Sequence, residues 1–135
     1  SMSNRQIITE LNVESLISLQ TSMGNGILII KFGADWCGPC KKIAPLYKNF
    51  INVSAENILF ADIDVDENLD LYMALKKHKM VQGIPVFLAF YGNTDRDKWY
   101  IPDDSVIGAD EKAVNDFFQR CQKKATSFIP YTYYA

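Results

Sequence analysis

The chain has 135 residues, 48% of them apolar and 22% charged, which is enough apolar mass for one packed domain and too little chain for two. Its 14 Lys and Arg are scattered against 16 Asp and Glu, for a net charge of −2, so composition argues against a nucleic-acid face or an anionic-membrane patch and leaves protein as the expected partner. Three cysteines are too few, and odd in number, for the stapled framework of a small secreted protein, so a reducing compartment, the cytoplasm, is expected.

In chain order, Gln6 to Thr9 is a short strand-forming run. Asn12 can cap a helix whose stripe is Val13, Leu16 and Ile17 and which ends near Gly24, with Gly24-Asn25-Gly26 as the turn out of it. Ile27 to Phe32 is apolar almost throughout, as a strand covered on both faces should be, with Lys31 the exception. Trp36-Cys37-Gly38-Pro39-Cys40 follows. From Lys41 onward Ile43, Leu46, Tyr47 and Phe50 fall at helical spacing, and Pro45 should kink this helix rather than end it. Ile58 to Val65 reads as a strand, and Asn68 to His78 as a helix with Leu71, Ala74 and Leu75 on one face. After Ile84-Pro85 comes the strand Val86 to Tyr91, closed by Gly92-Asn93. Its return limb includes Ser105 to Gly108, leaving Asp95 to Asp104 as an extended hairpin tip. A last helix spans about Asp110 to Lys124, with Val114, Phe117, Phe118 and Cys121 on its stripe. The order strand, helix, strand, helix, strand, helix, then hairpin and helix implies an α/β fold with right-handed parallel crossovers and a mixed sheet. No repeat, low-complexity segment or interdomain linker interrupts it.

The chemistry concentrates at Cys37 and Cys40. A cysteine where a strand passes into a helix meets unpaired N–H groups and the helix dipole, both of which favour the thiolate, the reactive form. The same spacing also supplies half of a zinc site, but a closed site needs four ligands and only Cys121 and His78 remain, so redox chemistry is the better reading. Asp62-Ile63-Asp64-Val65-Asp66-Glu67 lacks the glycine at the sixth place and the glutamate at the twelfth of a calcium loop. Neither metal nor cofactor is expected. Cys121, on an apolar stripe, reads as a small core residue, and His78, among Lys76, Lys77 and Lys79, as a solvated helix end.

From Gln6 to about Lys124 the chain resembles a thioredoxin. Trp36-Cys37-Gly38-Pro39-Cys40-Lys41 matches the family's active-site motif, Pro45 its helix proline, Ile63-Asp64-Val65-Asp66 the end of its next strand, Gly83-Ile84-Pro85 its cis-proline loop, and Gly108 its glycine before the final helix. Gly38-Pro39 is similar to reductive thioredoxins, where glutaredoxins usually carry Pro-Tyr and protein disulfide isomerases Gly-His. The resemblance implies a thioredoxin fold, a central mixed sheet flanked by helices on both faces, and a protein-disulfide reductase regenerated by a thioredoxin reductase. It implies that Cys37 is the exposed nucleophile and Cys40 the more buried resolving thiol. Ile84 and a cis Pro85 would face the sulfurs and pair with an incoming extended chain, Gly38 and Pro39 would shape the turn, and Trp36 would cover one side of the pair.

One position departs from the family. Most thioredoxins carry a buried aspartate where this chain has Lys31, and Asp62 stands where the family carries a charged residue, often lysine. Lys31 and Asp62 are therefore expected as a buried pair beneath the cysteines, participants in proton transfer that make the couple a weaker reductant. Residues 1–125 are read as the domain and 126–135 as an aromatic extension, Phe128 to Tyr134, that either packs on the domain or, with Trp99 and Tyr100 of the hairpin tip, docks a partner. A thioredoxin-like assembly module and a thiol oxidant or isomerase are the alternatives. A monomer is expected, and so is the absence of a signal peptide. Ser1-Met2 reads as a cloning remnant and leaves a removed targeting segment open.

Overall fold

Side-chain alternation along one strand sets the layering. In a computed structural model, which describes residues 5–129, β1 (Ile7–Ile8), β2 (Ile27–Gly33), β3 (Ile58–Asp64), β4 (Val86–Tyr91) and β5 (Asp104–Ile107) form one sheet in the order β1-β3-β2-β4-β5. The first three strands pair in parallel, and β4 and β5 return antiparallel. Leu28, Ile30 and Phe32 of β2 face α1 (Val13–Ser22) and α3 (Leu69–Lys77), where they join Leu16, Leu71 and Leu75. Ile27 and Ile29 face α2 (Gly38–Val53) and α4 (Glu111–Ser127), where they meet Ile43, Tyr47, Phe50, Phe117 and Phe118. The expected α/β order is present, and β2 is buried along its whole length, Lys31 included.

The boundaries differ where apolar periodicity is silent. α2 begins at Gly38 with Cys37 as its cap, the expected helix N-terminus, although its apolar stripe starts only at Ile43; Pro39 is tolerated there since first-turn N–H groups have no intrahelical acceptor. Pro45 lies inside α2 without ending it. β1 shrinks to two residues, β5 lies at Asp104–Ile107, one residue before the expected Ser105 to Gly108, and α4 runs on to Ser127, past its expected end near Lys124, with Ala125 buried in the layer that α2 shares. Phe128 packs on the same layer beneath Lys124. Residues 130–135, most of the aromatic extension, lie outside the described residues.

The hairpin tip folds inward. Arg96 ties it together through the carbonyls of Ile101 and Tyr91 and the carboxylate of Asp103, and the carbonyl of Trp99 accepts from Gln20 of α1 at 2.8 Å. Trp99 and Tyr100 are half-buried against the α1 and α3 layer. His78 is thus not a solvated helix end: its ring stacks on Tyr100 at 3.6 Å with Trp99 edge-on, because flat rings at the rim of a core hide more apolar surface together than apart.

Candidate active site

Cys37 is the N-cap of α2, and its sulfur accepts the N–H of Cys40 at 3.2 Å. One turn of helix brings the two Cα atoms to 5.2 Å, and the residues are joined as a disulfide. The cap, not the strand, orients the first sulfur: an N-cap residue is extended (φ −90°, ψ 107°), which turns its side chain back over the first turn, where a capping oxygen ordinarily sits. A thiolate here takes the place of a capping carboxylate and meets the positive end of the dipole.

The resemblance led us to expect an exposed Cys37 and a covered Cys40, yet they are 5% and 4% exposed. Cys37 is bonded to Cys40, and its sulfur lies 3.9 Å from the carbonyl oxygen of Ile84. Surroundings distinguish the two sulfurs better than burial does. Beside Cys37 runs an open groove of about 640 Å³ formed by Gly38, Pro39, Ile84, Pro85 and Gly108, flanked by Lys42 and Asp110. The Ile84-Pro85 bond is cis, the Pro85 carbonyl accepts from the N–H of Gly108 at 2.8 Å, and the backbone groups of Ile84 bond no other backbone group among the described residues. A free N–H and C=O beside the sulfur are what an extended chain needs in order to dock.

Cys40 faces a second cleft, of about 360 Å³, lined by Lys31, Gly33, Asp35, Lys41 and Asp62. Lys31 and Asp62 stand directly opposite in the β2–β3 register, on the sheet face under α2, with Nζ 3.9 Å from Oδ1. They pair as expected but are not both buried: the Lys31 side chain is 7% exposed and that of Asp62 50%. The difference follows from the topology, since β2 is flanked on both sides and roofed by Tyr47, whereas β3 at this end opens onto the cleft. Burial first, and then the charge of Asp62, holds the Tyr47 phenol well above its ordinary range, so it remains a neutral donor to the carbonyl of Ala61 at 2.8 Å.

Trp36 is 70% exposed, and its Nε1 donates to Asp66 at 2.8 Å, tethering the indole to the loop after β3. Sequence reading placed Asp66 in a rejected calcium loop and at the end of a family-like strand, but not beside Trp36; 30 residues of separation left no local signal. Gly33 was also missed, although a glycine inside a strand is a sign of close approach: a Cβ there would stand 3.3 Å from the Cys40 sulfur. Cys121 is a core thiol, as expected; burial, with the charge of Asp104, pushes it up to about 12. Among the described residues no three His, Cys, Asp or Glu side chains gather as a metal site, and no helix is long and apolar enough to cross a membrane.

Comparison with known proteins returns one family model, Thioredoxin, matching residues 8–119. Thioredoxin 3 of Plasmodium falciparum is 34% identical over 115 residues, covering 84% of this chain and 59% of that one. Thioredoxin domain-containing protein 8 of Rattus norvegicus is 37% identical over 67 residues, 50% of this chain and 49% of its own. The chain thus spans between half and three fifths of the length of these relatives. The crystal structure of Malassezia sympodialis thioredoxin shares the fold, with a TM-score of 0.67 and 23% identity over 87% of this chain and 93% of that one.

Proposed function

This chain belongs to the thioredoxin family, and from that premise we propose that it reduces disulfides in other proteins by dithiol–disulfide exchange. The observation that carries the reading is the capped sulfur of Cys37 bonded to Cys40 beside a groove whose Ile84 backbone is free to pair. The Cys37 thiolate attacks one sulfur of a substrate disulfide and releases the other as a thiolate, forming a mixed disulfide. Cys40 then attacks Cys37, the Cys37–Cys40 bond forms, and the second substrate sulfur leaves with the electron pair; two electrons have passed to the substrate. An extended substrate segment beside Ile84, with Pro85, Gly38 and Pro39 against its side chains, gives affinity with little sequence demand.

The same reading takes a thioredoxin reductase as electron donor, no bound cofactor, a monomeric protein and the cytoplasm as its place of work. Lys31 beneath the pair stabilises thiolates, so the couple is a weaker reductant than one with a carboxylate there. The inward packing of Trp99 and Tyr100 gives the hairpin tip no support as a docking surface.

Insulin reduction tests the proposal, with dithiothreitol supplying electrons in one arm and NADPH with a thioredoxin reductase in the other. The full chain should accelerate insulin precipitation in both, Cys37→Ser should fall to background, and Cys40→Ser should accumulate a mixed disulfide. An inactive parent in the dithiothreitol arm, or a Cys37→Ser variant as fast as the parent, overturns the reading; activity confined to that arm overturns the choice of donor.

A further inference from the structure

Lys31 is the one buried charged residue among those described. Its surroundings point to one of the two sulfurs. Lys31 and Gly33 point to the same face of β2, under α2. The point where a Cβ of Gly33 would stand is 3.3 Å from the Cys40 sulfur and 3.8 Å from Lys31 Cε, so the sulfur and the lysine stem border the same empty position. On the far side Asp62 sits half-exposed at the cleft mouth, 3.9 Å from the ammonium.

We propose that Lys31 is a positioning residue that sets the ionisation of Cys40 across the gap left by Gly33, and that Asp62 opposes it from the cleft mouth. This deepens the exchange mechanism and rests on it. In the release step Cys40 must lose a proton before it can attack the mixed disulfide. The ammonium holds the resulting thiolate by charge, and the proton leaves through the open cleft toward the Asp62 carboxylate. The thiolate then bonds to Cys37 sulfur, and the departing substrate sulfur takes the electron pair and is protonated by solvent. Cys40 thus has a positive neighbour below it in low dielectric and negative ones toward water, where their influence is screened. The other charged groups that face the cleft are Asp35 before α2, Lys41 on α2, and Asp64 and Glu67 at the end of β3 and beyond. None of these is buried, so Lys31 has the larger say per charge.

The experiment follows Cys40 alone, in the full chain carrying Cys37→Ala, by thiolate ultraviolet absorbance and iodoacetamide alkylation against pH. Cys121 does not interfere, being buried and pushed up to about 12. Lys31→Met should raise the midpoint by about one pH unit, Lys31→Arg should leave it within about 0.3 unit, and Asp62→Asn should lower it. A Lys31→Met midpoint within about 0.3 unit of the parent, or an upward shift with Asp62→Asn, overturns the proposal. Should Lys31→Met fail to fold, Asp62→Asn decides, because its side chain is half in solvent and its loss does not open the core. The insulin assay on the unaltered chain reports separately on the exchange reading, so failure of one is distinguishable from failure of the other.

Discussion

A lysine under a disulfide costs the fold before it serves the chemistry. Taking an ammonium out of water costs several kcal/mol, and a partner half in solvent returns only part of that. Lys31 lowers the cost in three ways: the Asp62 carboxylate at 3.9 Å, the Tyr47 ring with Nζ 6.0 Å from its centroid, and a cleft that admits solvent. Reversing the charge should reverse the electrostatics. Lys31→Asp places a carboxylate beneath the sulfurs, disfavours both thiolates and so disfavours the reduced form. For a thiol ionised at the working pH, a shift of about one unit changes the reduced form by up to about 1.4 kcal/mol and makes the couple more negative by up to about 30 mV. Equilibration with glutathione at pH 7, read by alkylation and mass, measures it; a potential unchanged from the parent removes Lys31 from the redox argument. The charge anomaly itself was legible in the sequence, as a lone Lys in an apolar run. That its partner is only half-buried was not, because burial of Asp62 depends on what lies over β3 and not on β3.

At the scale of elements, helix starts were easier to read when a polar cap announced them. Asn12 was expected to cap α1 and does so as a capping box: its Oδ1 accepts from Ser15 N at 2.8 Å, and Ser15 Oγ accepts from Asn12 N at 2.9 Å. Asn12→Ala should cost about 1 kcal/mol in urea unfolding and leave disulfide exchange untouched, since the box is exposed and remote from the cysteines. A stability loss below about 0.3 kcal/mol would show that packing of Leu16 alone holds the helix. The start of α2 carries no polar cap and was read instead from the cysteine motif, with Pro39 fitting a first turn that begins at Gly38. The end of α4 was misjudged because Ala125 and Phe128 continue a stripe whose spacing a short apolar count stops at Cys121.

For the whole molecule, two buried acids in the α2 and α4 layer should set the alkaline limit. Cys121 ionises near its ordinary 9.0 when unfolded and at about 12 when folded, because burial first, then the charge of Asp104, disfavours the thiolate. Its contribution is therefore fully present below about pH 9 and lost as pH rises toward 12, at up to about 1.4 kcal/mol per unit. Tyr47, also raised, adds a second decline above its ordinary 10.0. Melting temperatures from pH 7 to 11 should hold level and then fall above about pH 9, and Cys121→Ala should flatten the first part of the fall despite a lower starting value. Parallel curves for parent and variant would show that Cys121 does not set the limit. By itself the sequence determined the element order, the two-faced burial of β2, the cysteine pair at a helix start and the family, because periodicity, turn residues and a contiguous motif are local and survive without a fold. Only the tertiary structure decided that Asp66 tethers Trp36, that Gly33 lies against the Cys40 sulfur, and that the hairpin tip packs on α1 and α3. Each of these contacts joins residues from separate elements, and their distances are set by how the elements pack rather than by spacing along the chain.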